Sequence, residues 1–242
     1  LNTEASLPAA QRRVKGFIPV DFYLKTDVPE LRERACARLA QRRQSLAQGF
    51  YHDTTGQLIS TFGRLAISSP DAPSPIVPSV SNLQAAYLAG EATFNFQGGL
   101  EPTPFYHWAG GAFEADGLPT GLSFTENAYF FDYLSGAAPY MPVQLLSDAE
   151  AVICDRDDLP FADNLGGITV PVLYVGADGG FGAFGLYTLS LLGSPDQESL
   201  IIDLRPQSRL SDFGHSDLFL AKQARTLVWQ PLLAWIHGMR TR

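Results

Sequence analysis

Two aspartates and one histidine are the residues whose types and placement could do chemistry. Asp178 stands just beyond an apolar run, Val170 to Val175, that reads as a buried strand. A helical run from about Phe181 to Leu192 follows, then a second strand, Leu200 to Leu204, and then His215 in the loop FGHSDLF. In a parallel α/β sheet, groups that follow the carboxyl ends of strands collect on one rim, so this order delivers an acid and an imidazole to the same place. An imidazole oriented by a carboxylate is a general base, which is two of the three members of a catalytic triad. Asp21 sits within an earlier apolar run, Val14 to Leu24. Adjacent strands lie about 4.8 Å apart, so a carboxylate from either aspartate can reach one ring. The third member is missing: the chain contains no G-x-S-x-G turn, the strained elbow that presents a nucleophilic serine.

His215 has the setting a base needs, a loop pinned by a following helix, with the small Gly214 before it and Asp217 as the expected N-cap of that helix. The other histidines have blander readings. His52 and His107 fall among cap-like helices and loops, His237 falls in the terminal helix, and none shows a metal-ligand spacing such as H-E-x-x-H. No metal or redox cofactor is expected. Gly180, Gly182 and Gly185 spell G-x-G-x-x-G between a strand and a helix, with Asp203 ending the next strand, a local dinucleotide fingerprint. Fewer than 40 residues remain after Asp203, too few for the further βαβ units of a nucleotide domain, so these glycines are expected to serve tight strand-to-helix packing.

From Val14 to Met239 the chain resembles the C-terminal part of an α/β-hydrolase with a large cap. VKGFIPVDFYL (Val14 to Leu24) matches the family's strand six, VPVLYVGAD its strand seven and LIIDL its strand eight. The resemblance implies an α/β fold divided into hydrolase core at 1–24, a mainly helical cap at 25–167, and core again at 168–242. It also implies that the acid follows strand seven, which favours Asp178, although some hydrolase families place it after strand six, where Asp21 stands. The implied activity is that of a serine hydrolase of carboxylic esters or related acyl bonds. Strands one to five, the oxyanion loop and the serine elbow have no counterpart in these residues. The resemblance therefore implies an N-terminal half, on a separate chain or in an omitted segment, that supplies the serine and covers the edge of strand six. HWAGG at 107–111 is similar to an oxyanion loop but lies in the cap region after no clear strand, and is expected not to act as one. A non-catalytic binding module for an apolar ligand is the alternative, and a nicotinamide- or flavin-dependent oxidoreductase is a weaker one.

The elements that must position these groups are legible in outline. Pro29 and Glu30 after Asp27 open a helix whose Leu31, Ala35, Leu39 and Leu46 share one face, ending near Gly49. A second helix spans about Gln57 to Ile67, SSPDAPSPIVPSVS breaks the pattern, and helix resumes after Asn82. Thr125 and Pro142 open two more. Phe105, Tyr106, Trp108, Phe113, Phe124, Phe130, Phe131 and Tyr133 give this region its aromatic density; Trp108, Phe130, Phe131 and Tyr133 are the candidate substrate contacts, against the plainer reading of a helical core. With 242 residues and 45% hydrophobic content the chain can bury a substantial core. No run of about 18 apolar residues exists, so no membrane span is expected. A net charge of -8 argues against a nucleic-acid partner. Cys36 and Cys154 fit either one disulfide or two small buried thiols, and leave the compartment open.

Overall fold

The computed structural model describes residues 6–93, 106–156, 159 and 164–240; Phe105 lies outside them. Within that range the protein is a mixed α/β structure. After an extended segment at 17–20 come α1 (Pro29–Ala47), β1 (His52–Asp53), α2 (Thr55–Ser68) and α3 (Asn82–Glu91). A hairpin of β2 (Gly111–Phe113) and β3 (Pro119–Leu122) leads to α4 (Asn127–Ser135), β4 (Met141–Pro142) and α5 (Val143–Ile153). The chain closes with β5 (Val172–Ala177), α6 (Phe184–Ser190), β6 (Gln197–Ile202), the single turn α7 (Asp217–Leu220) and α8 (Gln230–Arg240).

β5 is the centre of what holds the site. All six of its residues are buried, as expected for a strand covered on both faces. Leu173, Val175 and Ala177 pack with Phe213, Leu218 and Val228 on one face, while Val172 and Tyr174 meet Leu189 of α6 on the other. β6 runs parallel on one side in unbroken register, Val172 opposite Gln197 through Ala177 opposite Ile202. On the other side lies the segment expected as a full strand from Val14 to Leu24. It makes only two parallel bridges, Phe17 to Val172 and Val20 to Val175. The reason is Pro19. Phe17 N–H donates to Pro171 O and Asp21 N–H to Val175 O, so the residue midway should donate to β5 as well, and a proline has no N–H to give.

The helices form a second body of packing. Phe62 and Ala66 of α2, Ala85, Ala86 and Ala89 of α3, and Phe130, Phe131 and Leu134 of α4 make one apolar cluster. α1 and α5 pack together, and a disulfide joins Cys36 of α1 to Cys154 at the C-terminal end of α5. Ser81 closes a reciprocal capping box with Gln84 at the start of α3, which fixes where that helix begins after the proline-rich stretch. Among the described residues no helix is long and apolar enough to cross a membrane.

Candidate active site

Asp21 emerges at the carboxyl end of the interrupted segment in an unusual backbone state, with φ of +43° in the left-handed region that aspartate tolerates better than most residues. That turn drives its side chain under the loop joining β5 to α6. There it is fully buried. Oδ1 accepts the N–H groups of Ala177 (2.9 Å), Phe181 (3.1 Å) and Gly182 (3.0 Å), and Oδ2 accepts from Nδ1 of His215 at 2.8 Å. Because a carboxylate only accepts, this contact puts the imidazole proton on Nδ1 and leaves the lone pair of the neutral ring on Nε2.

Asp178, the acid favoured by strand order, is not brought to His215. Its carbonyl accepts from Arg209 Nε at 2.7 Å, and its carboxylate lies 4.0 Å from the same guanidinium. The physical reason is direction: Asp178 sits past the last residue of β5, while Asp21 turns back beneath the loop that Asp178 opens. Asp178, Asp203 and Asp212 gather carboxylate oxygens within 4.8 Å of one another. Asp212 is already spent on the chain, accepting the N–H groups of Leu204, Arg205 and Phe213.

The loop carrying His215 is held along its length by residues 107–110. His107 N–H donates to Gly179 O, His215 N–H to His107 O, and Ser216 N–H and Oγ both to Trp108 O. His107 itself is buried and its Nε2 contacts Asp212 O at 2.7 Å, so it is a structural histidine set against the site. Thus HWAGG, placed in the cap region and expected not to act as an oxyanion loop, forms one wall of the His215 loop. Asp217, expected as a helix cap, is the first residue of α7 and fully buried; it accepts from Gly110 N (2.7 Å), Gly214 N (2.8 Å) and Thr125 Oγ1 (2.6 Å). Burial pushes its carboxyl up to about 6 against the lowering effect of those three donors. Beside it, Glu91 is buried with neither carboxyl oxygen hydrogen-bonded among the described residues, and burial followed by the Asp217 charge pushes it up to about 9.

The rings around His215 are not the four expected. Tyr106, Phe181 and Phe219 lie 5.5, 6.4 and 6.3 Å from it, centroid to centroid. Tyr106 stacks on Phe181 at 4.4 Å, and burial holds its hydroxyl well above the usual phenol range. Phe130 and Phe131 are buried in the helical cluster, packed there by the apolar faces of α2 and α3. Tyr133, 44% exposed, stands edge-on to Trp108, whose carbonyl holds Ser216 and whose side chain hydrogen-bonds the hydroxyl of Tyr106. Two of the missed rings did carry a signal. Phe181 follows the glycines after β5, and Phe219 lies four residues beyond His215, in the helix α7 that closes its loop.

The glycines of G-x-G-x-x-G are filled by the chain's own groups. A Cβ at Gly180 would fall on the Asp21 carboxylate, and one at Gly185 on the Tyr174 phenol. Close approach of a side chain, rather than of a pyrophosphate, accounts for both. His52 packs on Tyr140 in the helical body, away from this constellation. The sequence matches no protein-family model and no curated protein.

Proposed function

We propose that the protein is a serine hydrolase of the α/β-hydrolase type, acting on carboxylic esters or related acyl bonds. The observation that carries the reading is the Asp21–His215 pair, a buried carboxylate bonded to Nδ1 of a loop imidazole at the carboxyl ends of parallel strands. The nucleophile is a serine outside these 242 residues, on a preceding segment or a partner chain that also pairs with the 17–20 edge. Its Oγ attacks the ester carbonyl carbon as Nε2 of His215 takes its proton. Collapse of the tetrahedral intermediate releases the alcohol, protonated by the same Nε2. Water, deprotonated by His215, then frees the acid and restores the serine. Asp21 holds the ring and stabilises the imidazolium at each step. Tyr106, Phe181 and Phe219 supply an apolar wall beside the reacting bond, which suits an ester with an aryl or alkyl group.

The test is covalent. The full-length protein, with any chain that co-purifies, is treated with a fluorophosphonate probe and the labelled residue located by mass spectrometry. A single labelled serine outside these residues, with labelling abolished by His215→Ala, is the expected result. Absence of labelling in a folded preparation that still binds an apolar fluorophore would favour a binding module instead.

A further inference from the structure

Residues 107–110 hold the His215 loop through backbone bonds, Ser216 and the His107 ring, and through one buried carboxylate. Asp217 is a single buried side chain that joins three separate stretches of chain: Gly214 next to the base, Gly110 before β2, and Thr125 before α4. Its two oxygens divide the work, Oδ2 taking both backbone N–H groups and Oδ1 the threonine hydroxyl. Two of these stretches belong to the region between the 17–20 segment and β5, and the third carries the base. Burying an ionisable group is unfavourable unless its bonds repay it, so a carboxylate retained at full burial and saturated by three short bonds is a group whose geometry is in use.

We infer that Asp217 is the positioning residue for His215, locking the base's loop to the Gly110 and Thr125 segments so that the imidazole meets Asp21 on one side and the reacting bond on the other. This rests on the hydrolase reading above. Asp217 touches neither substrate nor ring; it acts through Gly214. Through these bonds a displacement of the Gly110 or Thr125 segment is passed to the residue next to the base.

The experiment compares Asp217→Ala, Asp217→Asn and His215→Ala in the full-length protein, reading turnover of p-nitrophenyl acetate, thermal unfolding, and the proton NMR signal of His215 Nδ1. Asp217→Ala should lower kcat about 100-fold with KM nearly unchanged. Asp217→Asn should restore kcat to within about 10-fold of the parent, since its amide oxygen still accepts both backbone N–H groups and its NH2 can donate to Thr125 Oγ1. The Nδ1 signal should shift or broaden in the alanine variant and return in the asparagine variant. Parent kcat and an unmoved signal in Asp217→Ala, assayed below its unfolding temperature, would overturn the inference. So would equal losses in the two variants, because they would mark the charge rather than the bonds. If Asp217→Ala does not fold, Thr125→Val decides: it removes one bond and should still move the Nδ1 signal, and an unmoved signal overturns the proposal. Should His215→Ala keep parent activity, the hydrolase reading falls, while the NMR signal still reports whether Asp217 positions the ring.

Discussion

Asp21 and His215 are 194 residues apart in sequence and 2.8 Å apart in space. The contact follows an interruption of the strand ladder. Pro19 stops the 17–20 segment from continuing as a ladder, and two residues later the backbone turns left-handed and carries the carboxylate inward. Three backbone N–H groups on Oδ1 then leave Oδ2 free to face the imidazole.

Asp21→Asn should therefore cripple turnover by about 10³–10⁴-fold, because an amide in that place no longer enforces the Nδ1–H tautomer. Asp178→Asn should change kcat by only a few fold, as its carboxylate faces Arg209. Steady-state kinetics on an activated ester ranks the two, and the opposite ranking would return the role to Asp178.

Gly180→Ala tests the same carboxylate from the outside. The added methyl group falls on the Asp21 carboxylate, so the variant should lose activity and about 1–3 kcal/mol of stability. Gly238→Ala is the matched control: it lies within α8 with open space about its Cβ, and should gain about 0.5–1 kcal/mol in chemical denaturation.

Glu91 governs a pH dependence of stability. Its folded-state pKa is raised from 4.5 to about 9, so between those values the folded chain binds more protons than the unfolded chain. Stability is highest at the acid end of this window and falls as pH rises through it. Asp217, raised from 3.8 to about 6, adds the same sign over the lower part. Glu91→Gln cannot ionise, so its melting temperature should be nearly flat from pH 6 to 9 and exceed the parent's at pH 8, by about 4–8 °C if the relief is about 2 kcal/mol. A parent and variant with parallel melting profiles would show that the carboxyl is not held neutral.

The aromatic wall predicts a split between substrates. Phe219 is 45% exposed beside His215, so Phe219→Ala should raise KM about 10-fold for a long-chain or aryl ester while leaving kcat for an acetate ester near the parent value. Tyr133→Ala, farther out, should do much less. Equal effects on both substrates would remove Phe219 from the binding surface.

What the sequence made legible was whatever depends on local pattern. The buried strand, the helix after its glycines, the second strand and the histidine loop all fall close to where periodicity and punctuation place them, β5 and β6 being shifted by two or three residues from the expected 170–175 and 200–204. What it hid depends on direction in three dimensions. Two aspartates at neighbouring strand ends look equivalent in a string, and only the left-handed turn at Asp21 separates them. Phe130 and Tyr106 are both aromatic residues of one stretch, yet α2 and α3 bury the first while the second is laid on Phe181. HWAGG stands out in the sequence only for its likeness to an oxyanion loop, and its place beside the base is hidden because what it packs against is a histidine loop more than 100 residues away.

The Cys36–Cys154 bond has a consequence for handling and for turnover of the protein. It spans 118 residues and encloses α2, α3 and α4, with the proline-rich stretch and the hairpin between them. A protease that cuts once anywhere inside that circle breaks the polypeptide without parting it. The two pieces would migrate together on a non-reducing gel and separate only when thiol is added. A preparation nicked in this way can keep Asp21 and His215 in register, since both lie outside the circle, one before it and one after.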